Sequence, residues 1–131
     1  MANSITIKIY GDPSESAPTD VLSDIPWFAG INALQAMVIG EAMYEKNFSF
    51  RVVYRSIFGA FVDSIDGVAD DPATNRFWIL YINGEEATVG ASEAIIQEDQ
   101  SITSALVEWR YTVVSESPQA VLKSKPLPPA A

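Results

Sequence analysis

Arg76-Phe77-Trp78-Ile79-Leu80-Tyr81-Ile82, followed by Asn83-Gly84, is the stretch on which the fold turns. It is an apolar run too short for a buried helix, rich in β-formers and stopped by a tight turn pair, so it predicts a central strand covered on both faces. The segments around it supply its neighbours. Downstream, Val107, Trp109, Tyr111 and Val113 alternate with Glu108, Arg110 and Thr112, which predicts an amphipathic last strand with Trp109 on the core face. Upstream, Ala60-Phe61-Val62-Asp63-Ser64-Ile65 ends in the turn pair Asp66-Gly67. Before it, Phe48, Phe50, Val52 and Tyr54 alternate with Ser49, Arg51, Val53 and Arg55. At the N-terminus Ile5, Ile7 and Ile9 alternate with Thr6, Lys8 and Tyr10, a half-buried strand ending at Gly11-Asp12-Pro13.

Between the first two strands the period changes. Asn32 offers an N-cap oxygen with Gln35 three residues on, and Leu34, Met37, Val38 and Ala42 follow at helical spacing, so a helix is predicted over residues 33–46. Residues 12–30, with Pro13, Pro18, Pro26 and Gly30, read as a long, mostly irregular connection. From Ser115 onward Pro118, Pro126, Pro128 and Pro129 dominate. The expectation is a folded domain over 1–115 and a Pro-rich tail over 116–131 that adds little to it. One helix packed on a mostly antiparallel sheet is an α+β pattern.

The chain has 131 residues, enough for one ordinary domain, and 48% of them are apolar, which supplies a core. It contains neither cysteine nor histidine. That removes thiolate nucleophiles, disulfides, zinc-thiolate sites and imidazole bases or ligands, so no nucleophile–base pair remains and an enzyme is not expected. Seventeen acids against eight bases give a net charge of −9, which repels phosphate backbones and anionic leaflets, so neither nucleic acid nor membrane is expected as a partner. The start carries no basic leader, and no window of ~18 apolar residues occurs anywhere. The chain is therefore expected to be soluble, extracytoplasmic if an export leader has been trimmed and cytoplasmic otherwise.

The carboxylates do not make a metal motif. Asp63, Asp66, Asp70 and Asp71 lack the every-second-position oxygens of a calcium loop, and Glu85-Glu86 point to opposite faces of a strand. Gly59, Gly67, Gly84 and Gly90 fall in separate turns and cannot cradle a phosphate.

Phe58-Gly59, Ile65-Asp66-Gly67-Val68, Phe77-Trp78, Asn83-Gly84-Glu85, Gly90-Ala91-Ser92 and Glu108-Trp109-Arg110-Tyr111 form a series at characteristic spacing. In this series, residues 33–113 resemble the C-terminal β domain of the transcobalamin and intrinsic-factor cobalamin carriers and related bacterial domains of the soluble-ligand-binding β-grasp group. The resemblance implies a β-grasp-like fold and a face that closes one side of a corrinoid against a separate helical barrel. Carried over by position, the ligand-binding candidates are Phe58, Ala60, Trp78 and Leu80, flanked by Trp27 and Phe28 from the 12–30 stretch. It further implies a non-catalytic binding module for cobalamin or another large planar small molecule, with no metal ligand and no resident cofactor supplied by the chain. The other reading is a protein–protein interaction or assembly module, a homo-oligomer included, that uses an open sheet edge.

Overall fold

The computed structural model describes residues 4–11, 16–44, 48–54, 59–97, 104–113 and 119. Within them β1 (Ser4–Tyr10) and β2 (Asp20–Pro26) precede the helix α1 (Ala33–Met43). There follow β3 (Phe50–Tyr54), β4 (Ala60–Ile65), β5 (Val68–Ala69), β6 (Arg76–Ile82), β7 (Glu85–Glu86) and β8 (Ser104–Val113). The strands make a five-stranded sheet in the order β2-β1-β8-β6-β7 and a three-stranded sheet in the order β3-β4-β5. β1 and β8 run parallel in unbroken register, from Ser4 opposite Ser104 to Tyr10 opposite Arg110. The other pairs are antiparallel, and the whole is a mainly-β α+β fold.

The expected central strand is there. Phe77, Trp78, Ile79 and Leu80 are all buried. Trp78 and Leu80 join Ile5, Ile7, Ile9, Val107 and Trp109 in the core that includes Ala36 and Met37 of α1, while Phe77 and Ile79 form a second cluster with Tyr81. Trp109 is buried as its parity predicts, and its indole N–H has no hydrogen-bond partner among the described residues.

The 12–30 stretch is not the irregular connection that its prolines suggest, because β2 runs through it and pairs with β1. Leu22 lies opposite Ile7 and Ile25 opposite Ile5, so β2 spends three steps where β1 spends two. The extra residue is a bulge at which Asp24 takes a left-handed conformation with φ of 61°. Both apolar side chains reach the core, yet the bulge breaks the period that would have revealed the strand.

α1 begins with the predicted capping box: Gln35 N–H donates to Asn32 Oδ1 at 2.8 Å and Asn32 N–H to Gln35 Oε1 at 2.9 Å. The next orphan donors are also taken, since Ala33 N–H bonds to Ala94 O and Leu34 N–H to Ala91 O. The helix ends at Met43 with Tyr44 as its C-cap, short of the expected residue 46. Gly40 sets how closely it lies on the sheet: a Cβ there would sit 3.0 Å from Leu22 Cδ2 and 3.3 Å from Ile25 Cδ1. Among the described residues no helix is long and apolar enough to cross a membrane.

Candidate functional site

β6 has an outer edge that β7 covers only at Tyr81 and Ile82. Backbone groups left bare on a sheet edge need partners, and here side chains provide them. Trp78 N–H donates to Asp70 Oδ1 at 2.8 Å. Leu80 N–H donates to Gln119 Oε1 at 2.8 Å, and Leu80 C=O accepts from Gln119 Nε2 at 2.8 Å and from Ala87 N–H at 3.0 Å. Gln119 Nε2 also donates to Ala87 O at 2.9 Å. Gln119 belongs to the segment read as a tail of little structural weight, and at this residue that reading fails. A proline-rich composition carries no information about one carboxamide whose partners are backbone groups.

The scattered pieces of the sequence series meet close by. Gly59 has φ of +86°, and a Cβ there would lie 2.5 Å from Ser92 Oγ and 2.7 Å from Glu93 Cγ. Ser92 Oγ in turn accepts Ala60 N–H at 2.8 Å. Only glycine suits this conformation and this approach, so Gly59-Ala60 and Gly90-Ala91-Ser92 form one junction. The 90–96 segment is pinned further by its bonds to the start of α1 and by Trp27, whose indole N–H donates to Ile96 O at 2.9 Å. Between this segment and the β6–β7 turn lies a groove of about 710 Å³, lined in part by Ile82, Glu85, Glu86, Ala87, Glu93 and Ile95. One Glu86 carboxylate oxygen there is buried without a hydrogen-bond partner among the described residues.

The candidates named from sequence fall unevenly on this ground. The side chains of Ala60, Trp78 and Leu80 are buried, so they do not make the open aromatic face expected of them. Both faces of β6 are covered, and what Trp78 and Leu80 bring to the outer edge is backbone. Trp27 is half-buried and acts as the pin just described, whereas Phe28 is 44% exposed. Phe58 lies outside the described residues.

Trp78 also walls a second concavity of about 250 Å³ with Ile9, Ile65, Val68, Asp20 and Asp66. Its indole N–H donates to Val68 O at 2.7 Å, and the Tyr111 ring packs against it with centroids 5.1 Å apart. Burial, together with a hydrogen bond and the negative charge of Asp66, pushes the Asp20 carboxyl from its ordinary 3.8 up to about 6. Asp66 Oδ1 meanwhile accepts Ser49 N–H at 2.9 Å. No spacing rule pairs Asp20 with Asp66, because β2 itself was hidden by its bulge. Among the described residues no group of three or more His, Cys, Asp or Glu is placed to hold a metal ion.

A family described as "Domain of unknown function (DUF4430)" matches residues 32–113, from the N-cap of α1 to the last residue of β8. The chain belongs to the DUF4430 family. Its β1 and β2 precede the matched span yet complete the five-stranded sheet. No curated protein matches this DUF4430 sequence. Among solved structures, haptocorrin in complex with Cbi is similar at a TM-score of 0.60 and 18% identity, over 82% of this chain and 25% of that one. The DUF4430 chain therefore has a transcobalamin-like fold and spans about a quarter of the haptocorrin chain. A protein from Ruminococcus gnavus, proposed to bind metal, overlaps more loosely, at a TM-score of 0.48 and 16% identity over 84% of this chain and 98% of that one.

Proposed function

We propose that this DUF4430 chain is a non-catalytic binding module that meets a large planar small molecule, a corrinoid first, along the outer edge of β6 and the groove beside it. One observation carries the reading. Segments far apart in sequence are joined on and beside that edge, with Ala87 bonded to Leu80 of β6 and Ser92 bonded to Ala60 of β4. The transcobalamin-like fold supports the ligand class, since haptocorrin is seen in complex with Cbi. The parallel β1–β8 pair set between antiparallel ones, with α1 packed on the sheet, supports assignment to the β-grasp group.

Backbone N–H and C=O groups on an edge suit a ligand whose rim carries amides, because they fix orientation while the apolar body packs alongside. The absence of histidine means that any cobalt keeps its own base or a water as axial ligand. The chain corresponds to a quarter of haptocorrin and offers one face, so affinity in the monomer is weak and tight binding calls on a second chain.

The assembly reading through an open strand edge finds less support. Side chains cap the outer edge of β6, and β2 is bulged at Asp24 and ends in Pro26, both features that oppose strand addition. The test is a cobalamin titration of the full chain followed by absorbance and by heat, with light scattering alongside. Saturable binding is expected. Flat titrations at every concentration sink the corrinoid reading, and a concentration-dependent mass with flat titrations points to assembly instead.

A further inference from the structure

Gln119 is the contact that the corrinoid reading leaves unused. Its side chain is buried, at 1% exposure, and among the described residues its amide bonds to backbone alone: the oxygen takes Leu80 N–H, and the nitrogen gives one proton each to Leu80 O and Ala87 O. One acceptor and two donors in a plane are what a primary carboxamide has to offer. A carboxylate in the same place would set an oxygen against two carbonyls. A tertiary amide would donate to neither carbonyl, and a passing strand would supply one N–H where two are needed. The neighbouring cap is of another kind, since Asp70 offers a carboxylate acceptor to Trp78 N–H.

The geometry points to a backbone receptor for a primary carboxamide, formed by Leu80 N–H, Leu80 C=O and Ala87 C=O, in which Gln119 is a resident and exchangeable occupant. In one respect this rests on the ligand reading above: the rim of a corrinoid carries primary carboxamides, so a ligand amide enters by displacing Gln119. Gln119 is then a competitor built into the chain. Position 119 follows the end of β8 by six places in the sequence, and covalent linkage over so short a span corresponds to an effective concentration of roughly millimolar, which an external carboxamide must exceed. Occupancy by Gln119 lowers the apparent affinity for ligand in proportion to the fraction of slots left open.

The test compares the unmodified full chain with full-length Gln119→Ala by thermal denaturation, in propionamide, propionate or N,N-dimethylpropionamide. Gln119→Ala should lower Tm by about 5–10 °C, because three backbone groups lose a partner. Propionamide should restore part of that loss while the other two do not. An equal response to all three, or none to propionamide, overturns the receptor. Should Gln119→Ala not fold, the Gln119 side-chain NH₂ resonances of the unmodified chain are followed as propionamide is added. Saturable displacement is expected, and unmoved resonances overturn the exchange. A dicyanocobinamide titration completes the set, with binding to Gln119→Ala at least about tenfold tighter than to the unmodified chain. Propionamide rescue with no dicyanocobinamide binding to either protein upholds the receptor and removes the corrinoid as its ligand. Equal dicyanocobinamide binding to both upholds the ligand reading and overturns competition by Gln119.

Discussion

The two edges of β6 solve the same problem by different means. Toward β8, seven residue pairs stand in unbroken register from Arg76 opposite Val113 to Ile82 opposite Val107. Toward the outside, a backbone bridge from Asp71 serves Arg76, a carboxylate serves Trp78, a carboxamide serves Leu80, and β7 takes over at Tyr81. A ladder opens only as a unit, whereas an edge closed by separate devices can give way at one residue while its neighbours hold. Binding can therefore live on the outer edge without loosening the core behind it.

The largest effect is expected on the ladder side. Trp109 stands opposite Leu80 and is buried, so Trp109→Ala should cost about 3–5 kcal/mol in chemical denaturation. An unchanged midpoint would break the contrast at its stronger half. On the outer edge Asp70→Ala should cost less, about 1–2 kcal/mol, because it strips the charged acceptor from one buried N–H. A loss as large as that of Trp109→Ala would mean that the two edges do not differ in kind.

The cavity beside Trp78 gives a pH test. The folded chain holds the Asp20 proton up to about pH 6, while an unfolded carboxyl releases it near 3.8. Between those values the folded state binds more protons, so this group's contribution to stability falls as pH rises from about 4 to 6 and is level above. Asp20→Asn should remove that slope, and the Tm gap between variant and parent should change across the window. Parallel curves would show that Asp20 and Asp66 share no proton. The smallest effect belongs to the three-stranded sheet, where Arg51 pairs with Asp63 at 3.2 Å but is 68% exposed. Arg51→Ala should move stability by no more than about 0.5 kcal/mol, read from urea midpoints.

What could be read from sequence follows the same division. β6, β8 and the capping box of α1 were legible because strand periods and Asn32-to-Gln35 spacing are local signals. β2 was not, since the bulge at Asp24 shifts Ile25 out of phase with Leu22. Ala60, Trp78 and Leu80 were read as part of an open aromatic-lined face, and residue identity cannot say whether a position acts through side chain or backbone. All three bury their side chains. Gln119 gave no signal at all, because its partners are main-chain atoms of residues whose types are immaterial.

The close seat of α1 on β2 joins three positions into one volume. Any side chain at position 40 must come out of the space now filled by Leu22 and Ile25, so among DUF4430 chains size at 40 should anticorrelate with size at 22 and 25. Position 40 lies inside the matched span of 32–113 and the other two lie before it. A span of this family grafted behind a foreign N-terminal hairpin would inherit the glycine without its counterparts, and the hairpin's inward residues would have to be chosen to fit.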